Sequence, residues 1–216
     1  GKSGRMTDAE LKERLATSVV REDNGDVRIT EIPMVDQGPK GYCVPATFER
    51  AMRTMGIDAD MYLLAMVGKS SAGGGTVVEI LLENVKSSVY RKGRRVKEDD
   101  IKSLKIRDVK RYIDTGIPLM WRLHSVDEYN NLTDENTAGR ASGGAAFREA
   151  MHAKAAKLED KDKPEENGHI CMIIGYNEQT EELAVSDSWG KEFELRWVPL
   201  EVADWASGGK LFMILP

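Results

Sequence analysis

The chain has 216 residues, 41% hydrophobic and 31% charged, enough for one large core rather than two small ones. Its formal charge of -5 gives no general electrostatic case for a nucleic-acid partner, and no apolar run approaches the roughly 20 residues that cross a bilayer. Cys43 and Cys171 are too few for a disulfide framework and lack the paired spacing of a zinc site, so neither metal nor another cofactor is expected.

The chain opens Gly1-Lys2-Ser3-Gly4 without an initiator Met, as expected of a trimmed or processed piece of a longer protein with further domains. Thr7 is a plausible N-cap, and Leu11, Leu15 and Val19 follow at helical spacing, which predicts an entry helix over 7–21. Asn24-Gly25 signals a turn. Val27 to Ile32 alternates as a half-buried strand before Pro33. Residues 1–25 are thus expected as an N-terminal helix or linker, and 26–216 as the main domain.

From Cys43 to Met55 the pattern becomes helical, with Val44, Phe48, Met52 and Met55 three and four apart and Gly56 as a stop. Pro45 falls in the first turn, where its missing N–H costs little. A short helix over 60–67, a flexible Gly73-Gly74-Gly75 loop and a helix over 77–85 capped by Thr76 follow. The excess of Lys and Arg over 91–111 reads either as a site for an acidic substrate or, being interleaved with Glu98, Asp99, Asp100 and Asp108, as a solvated face, the commoner case. Ile106, Val109, Tyr112 and Ile113 mark a helix ending at Gly116, and Ile117 to Leu123 a strand.

Residues 125–167 are polar and densely charged, with a helix over 145–158, and are expected as an excursion from the second half. Strands are then expected over 170–176, 182–187, 192–197 and 210–215, with a helical link over 199–206. Helices followed by strands predict an α+β fold.

Three stretches carry chemistry: Gln37-Gly38-Pro39-Lys40-Gly41-Tyr42-Cys43, Gly168-His169, and Ser186-Asp187-Ser188-Trp189-Gly190. A thiol is a strong nucleophile only as thiolate, which a helix N-terminus and a nearby imidazolium both favour. Cys43 has the first by position, and His169 is the candidate for the second. Asp187 is suited to orient the imidazole, and the Gln37 amide with the Cys43 backbone N–H to receive an oxyanion. Trp189 would shield the pairing of Asp187 with His169, or line the substrate site beside it. Cys171, two residues beyond His169, shares its strand face and reads either as a small buried hydrophobe or as a disulfide partner for Cys43. His124 and His152 read as a strand end and a helix surface.

These stretches resemble the papain-like cysteine peptidases, most closely the branch of bacterial peptidases that cleave double-glycine leader peptides. Gln37, Cys43, Ala46 and Gly56 match that branch's nucleophile segment; Gly168-His169 with Ile173-Ile174-Gly175-Tyr176-Asn177 resembles its histidine strand. Ser186-Asp187-Ser188-Trp189-Gly190 is similar to the Asn-Ser-Trp-Gly of papain-like enzymes with Asp in the Asn place.

The resemblance implies a helical half packed against an antiparallel sheet half with the active site between them. It implies a Cys43-His169-Asp187 triad with Gln37 at the oxyanion, acting on a peptide or protein substrate outside the bacterial cytoplasm. On the same resemblance Gly73, Gly74 and Gly75 are expected either to serve like the glycines that let substrate backbone approach in such enzymes or to form an ordinary flexible loop. Val44 replaces the usual Gly after Cys, and Asp187-Ser188 the usual Asp-Pro, so reaction class transfers while double-glycine specificity does not. The same residues also suit a peptidyl transferase similar to phytochelatin synthase, or a papain-like binding module that has lost its chemistry.

Overall fold

The computed structural model describes residues 6–68 and 77–216. Thr7 opens helix α1 (Asp8–Thr17) with a capping box: its hydroxyl accepts from the Glu10 N–H, and the Glu10 carboxylate accepts from the Thr7 N–H. Leu11 and Leu15 bury one face of α1 in the main core. The helix ends at Thr17, short of the expected residue 21, because Val19–Arg21 forms strand β1, paired antiparallel with β2 (Asp26–Ile29). Successive β-branched residues at 19 and 20 favour that extended pairing.

A 3-10 turn, Gly38–Lys40, leads into α2 (Cys43–Thr54), whose buried Phe48, Ala51 and Met52 fill the centre of the molecule. Helices α3 (Met61–Gly68) and α4 (Val77–Arg91) pack beside it. No helix among the described residues is long and apolar enough to cross a membrane.

The remaining elements are β3 (Arg95–Asp100), α5 (Ile106–Ile113), β4 (Leu119–His124), α6 (Asp127–Gly139), α7 (Gly144–Glu159), β5 (Gly168–Asn177), β6 (Glu182–Ser186), β7 (Arg196–Pro199), α8 (Leu200–Ala206) and β8 (Ser207–Leu215). One antiparallel sheet runs β1-β2-β5-β4-β8-β3, with β6 joined to both β5 and β7. Met172 of β5 faces Met120 of β4 and Ser186 of β6, while Asn177 faces Asp26 of β2 and Glu182 of β6. Strands β4 and β2 therefore share one edge of β5 end to end, and β6 takes the other. Every residue from Ile170 to Asn177 is buried, so both faces of β5 are covered. The fold is α+β, with the helical first half laid against the sheet through α2 and β5.

Three elements depart from the expected pattern. The charged stretch at 95–100 is the edge strand β3: Lys210 of β8 pairs with Glu98 and Asp100, and Lys97 with Asp99, so alternating charges protect an open edge. The strand expected over 192–197 begins only at Arg196, because Lys191–Phe193 closes a 3-10 turn. Residues 127–139, with no apolar stripe, form α6 against β7. Its buried face is polar: Tyr129, Thr133 and Asn136 lie on it, and Asn136 Nδ2 donates to Glu182 Oε2 at 2.7 Å. Arg140, just beyond the helix, bridges Asp26 and Glu182.

Gly175 shows how tightly β2 approaches β5. A Cβ there would meet the Val27 carbonyl oxygen at 2.5 Å, Arg28 Cβ at 2.9 Å and Ala184 Cβ at 3.0 Å. The first is backbone held in the sheet and cannot yield cheaply. Gly175→Ala is expected to lower stability by about 2 kcal/mol in urea unfolding; an unchanged midpoint would show that the strands can part without cost.

Candidate active site

Cys43 begins α2, so its thiol sits at the positive end of a 12-residue helix whose first N–H groups have no partner within the helix. Thr47, one turn on, donates its hydroxyl to the Cys43 carbonyl at 2.6 Å and reaches the Ile170 carbonyl at 3.4 Å. That side chain ties the first turn of α2 to β5 one residue past His169. On one side the imidazole of His169 neighbours Cys43, closely enough that each shifts the other's pKa. On the other, its Nε2 lies 2.9 Å from Asp187 Oδ1, which leaves Nδ1 for the sulfur.

Asp187 follows directly on β6, and its backbone N–H donates to the Phe193 carbonyl at 2.9 Å. Its side chain is 1% exposed. Trp189 lies nearly parallel to the His169 ring, centroids 4.8 Å apart, and meets the Phe193 ring edge-on at 5.3 Å. The structure thus brings Cys43, His169, Asp187 and Trp189 together, with Trp189 covering the imidazole.

Gln37 is fastened to the same place by its backbone, whose N–H donates to the Ser188 carbonyl at 2.7 Å. Its buried Oε1 has no hydrogen-bond partner among the described residues, so the fold does not consume that end of the amide. Gly73, Gly74 and Gly75 lie outside the described residues, as does Thr76. Cys171 is fully buried and, like Cys43, a free thiol. Burial pushes its pKa well up, so it stays protonated. His124 stands at the end of β4 bound to the Glu166 carbonyl, and His152 pairs with Glu201 of α8.

Burial opposes charge on each reacting group, and specific contacts overcome it. Desolvation raises the Cys43 thiol, but the hydrogen bond and charge of His169, aided by the Ile170 and Val44 N–H groups, bring it below its usual value. Desolvation lowers His169, yet Asp187 and Cys43 outweigh it and push the imidazole up to about 9. Desolvation raises Asp187, while His169 and Arg196 hold it below the usual carboxylate range. The arrangement favours thiolate, imidazolium and carboxylate in a row.

Two arginines escaped the reading of the sequence. Arg50 of α2 is 1% exposed and donates Nε to the Pro33 carbonyl at 3.0 Å and Nη2 to Ser186 Oγ at 2.6 Å. It braces the helical half against the residue before Asp187, and desolvation brings its pKa down to about 10. Arg196 of β7 donates Nη2 to Asp187 Oδ2 at 2.8 Å. A lone Arg in an alternating or helical stretch carries no mark of burial, so neither was detectable from spacing alone.

A model of the Peptidase_C39 like family matches residues 29–206. No curated protein matches the chain. Among solved structures, a Bacillus anthracis protein described as a C39-like peptidase is similar at 15% identity and TM-score 0.54, with 88% of this chain and 98% of that one covered. The peptidase domain of Streptococcus ComA, a bifunctional ABC transporter of a quorum-sensing pathway, is similar at 12% identity and TM-score 0.50, covering 86% and 99%. These two likenesses are of fold, and the fold is papain-like. The family model spans most of the chain, and on that ground the protein belongs to the Peptidase_C39 like family and is a cysteine-type peptidase.

Proposed function

We propose that the protein hydrolyses peptide bonds with Cys43 as nucleophile, His169 as acid and base, Asp187 as its orienter and Gln37 at the oxyanion. The observation that carries this reading is the imidazole held between the Cys43 thiol and Asp187 Oδ1, 2.9 Å away, at the N-terminus of α2. In this scheme the Cys43 thiolate adds to the scissile carbonyl carbon, and the displaced electron pair moves to oxygen. The Cys43 N–H and the Gln37 amide donate to that oxyanion. Collapse expels the amine, which takes its proton from the His169 imidazolium, and leaves a thioester on Cys43. Neutral His169 then takes a proton from water, whose oxygen adds to the thioester carbonyl carbon; the tetrahedral adduct collapses, its C–S bond breaks, and the acid leaves with the Cys43 thiolate and His169 imidazolium restored.

Trp189 supports the scheme by excluding water from one face of His169, which strengthens the pairing with Asp187. A peptide or protein substrate and a site outside the cytoplasm are part of this proposal.

Cys43→Ala is expected to abolish turnover of a peptide library while leaving thermal unfolding unchanged; cleavage by both proteins would remove Cys43 from the chemistry. Iodoacetamide should label Cys43 at pH 6 faster than it labels a free model thiol, and equal rates would argue against an activated thiolate. Products formed with added amines separate hydrolysis from peptidyl transfer, since an amide product in place of the acid would overturn the hydrolytic step.

The ion pair forms above the lowered pKa of Cys43 and is lost as His169 gives up its proton through about 9. A bell-shaped kcat/KM profile is therefore expected, with its alkaline limb near 9. A limb near the ordinary imidazole value would mean that Asp187 does not stabilise the imidazolium. Gln37→Ala should lower kcat about 100-fold with the thiol still reactive; full kcat would exclude it from the oxyanion.

A further inference from the structure

We propose that Arg196 is a positioning residue for the thiol chemistry, locking Asp187 in the rotation that holds His169 against Cys43. The inference rests on the nucleophilic reading of Cys43 and goes past it, to a residue outside the three sequence stretches. Arg196 leaves only 4% of its side chain exposed. Its planar head faces two ways: Nη2 donates to Asp187 Oδ2 at 2.8 Å, and Nη1 donates to Asn130 Oδ1 at 3.2 Å and Asp134 Oδ1 at 3.0 Å on α6.

Asp187 Oδ1 is already taken by His169 Nε2, so the two carboxylate oxygens are pulled by different cations in different directions. A carboxylate tied at one oxygen can rock about its bond to Cβ, whereas one tied at both cannot. The guanidinium carbon lies 5.5 Å from the centroid of Trp189 and 5.6 Å from that of Phe193, and Trp189 is the ring stacked on His169. Arg196 thus supports the imidazole twice, through Asp187 and through the aromatic layer that covers it.

From the sulfur outward, the groups alternate in charge: Cys43 thiolate, His169 imidazolium, Asp187 carboxylate, Arg196 guanidinium, Asp134 carboxylate. The other ionisable groups near Asp187 do not substitute for Arg196. Tyr129 of α6 and Cys171 of β5 are driven towards their neutral forms by burial. Arg50 of α2 acts on Asp187 through its charge but gives its hydrogen-bond donors to Ser186, Ser188 and Pro33, so it does not fix the carboxylate's rotation. Glu194 raises the pKa of Arg50 through its charge. Without Arg196, Asp187 loses the cation on Oδ2, becomes easier to protonate and freer to turn, and the imidazolium that stabilises the thiolate is weakened.

The test is the pH dependence of Cys43 alkylation by iodoacetamide, with the labelled cysteine assigned by mass spectrometry, in wild type, Arg196→Gln and Arg196→Lys. Circular dichroism confirms folding of each. For Arg196→Gln the midpoint should rise by about one pH unit, so labelling at pH values below both midpoints falls about tenfold, and kcat/KM there falls with it. Arg196→Lys keeps a cation but cannot reach Asp187 and α6 together, so a smaller rise is expected. A folded Arg196→Gln protein with the wild-type profile overturns the proposal. If that variant does not fold, an unchanged profile in Arg196→Lys overturns it instead. Cys43→Ala distinguishes the two levels: turnover surviving in it defeats the nucleophilic reading, whereas its loss beside an unshifted Arg196→Gln profile defeats the role of Arg196 alone.

Discussion

Everything at the candidate site depends on one buried carboxylate. Asp187 is 1% exposed, and a carboxylate in that position costs several kcal/mol unless cations compensate it. His169 and Arg196 do so from opposite oxygens. The ionised Asp187 in turn makes a protonated imidazole favourable beside a thiol, and the protonated imidazole lowers the pKa of that thiol. Remove the carboxylate charge and each later link weakens in order.

That chain of charges can exist only because two halves of the molecule are held in register. Cys43 belongs to the helical half and His169 to the central strand of the sheet. Thr47 links α2 to the backbone of β5, and Arg50 links the middle of α2 to the end of β6 and to Pro33. The Gln37 loop is stitched to Ser188. Each tie is accepted by a backbone carbonyl or a serine hydroxyl, groups held close to the main chain. A nucleophile and a base more than a hundred residues apart are thereby brought close enough that each shifts the other's pKa.

The stretch from 125 to 167 illustrates a different economy. Its helix α6 has few strong helix formers and buries a polar face, which isolated propensity would not favour. Tertiary partners reverse that: Asn136 and Arg140 satisfy Glu182 and Asp26, while Asn130 and Asp134 satisfy Arg196. Polar contacts that stabilise the helix are also those that reach the back of Asp187, so stability and site geometry share the same residues.

The sequence by itself determined the α+β order, the helix starting at Cys43 and, to within one or two residues, the strand that holds His169 and the strand that leads to Asp187. Apolar periodicity and capping residues are local signals, and these elements carry them. It did not disclose β3, a charged strand held by its antiparallel ladder with β8, or α6, whose buried stripe is polar. Nor did it separate Arg50 and Arg196 from the other arginines, because burial of a charge depends on partners distant in the chain. The three stretches could be read as chemistry because their residue types and order are distinctive. Which nitrogen of His169 faces Asp187, what holds the second carboxylate oxygen and what covers the imidazole were decided only by the tertiary structure, since each is a distance between side chains that no spacing along the chain encodes.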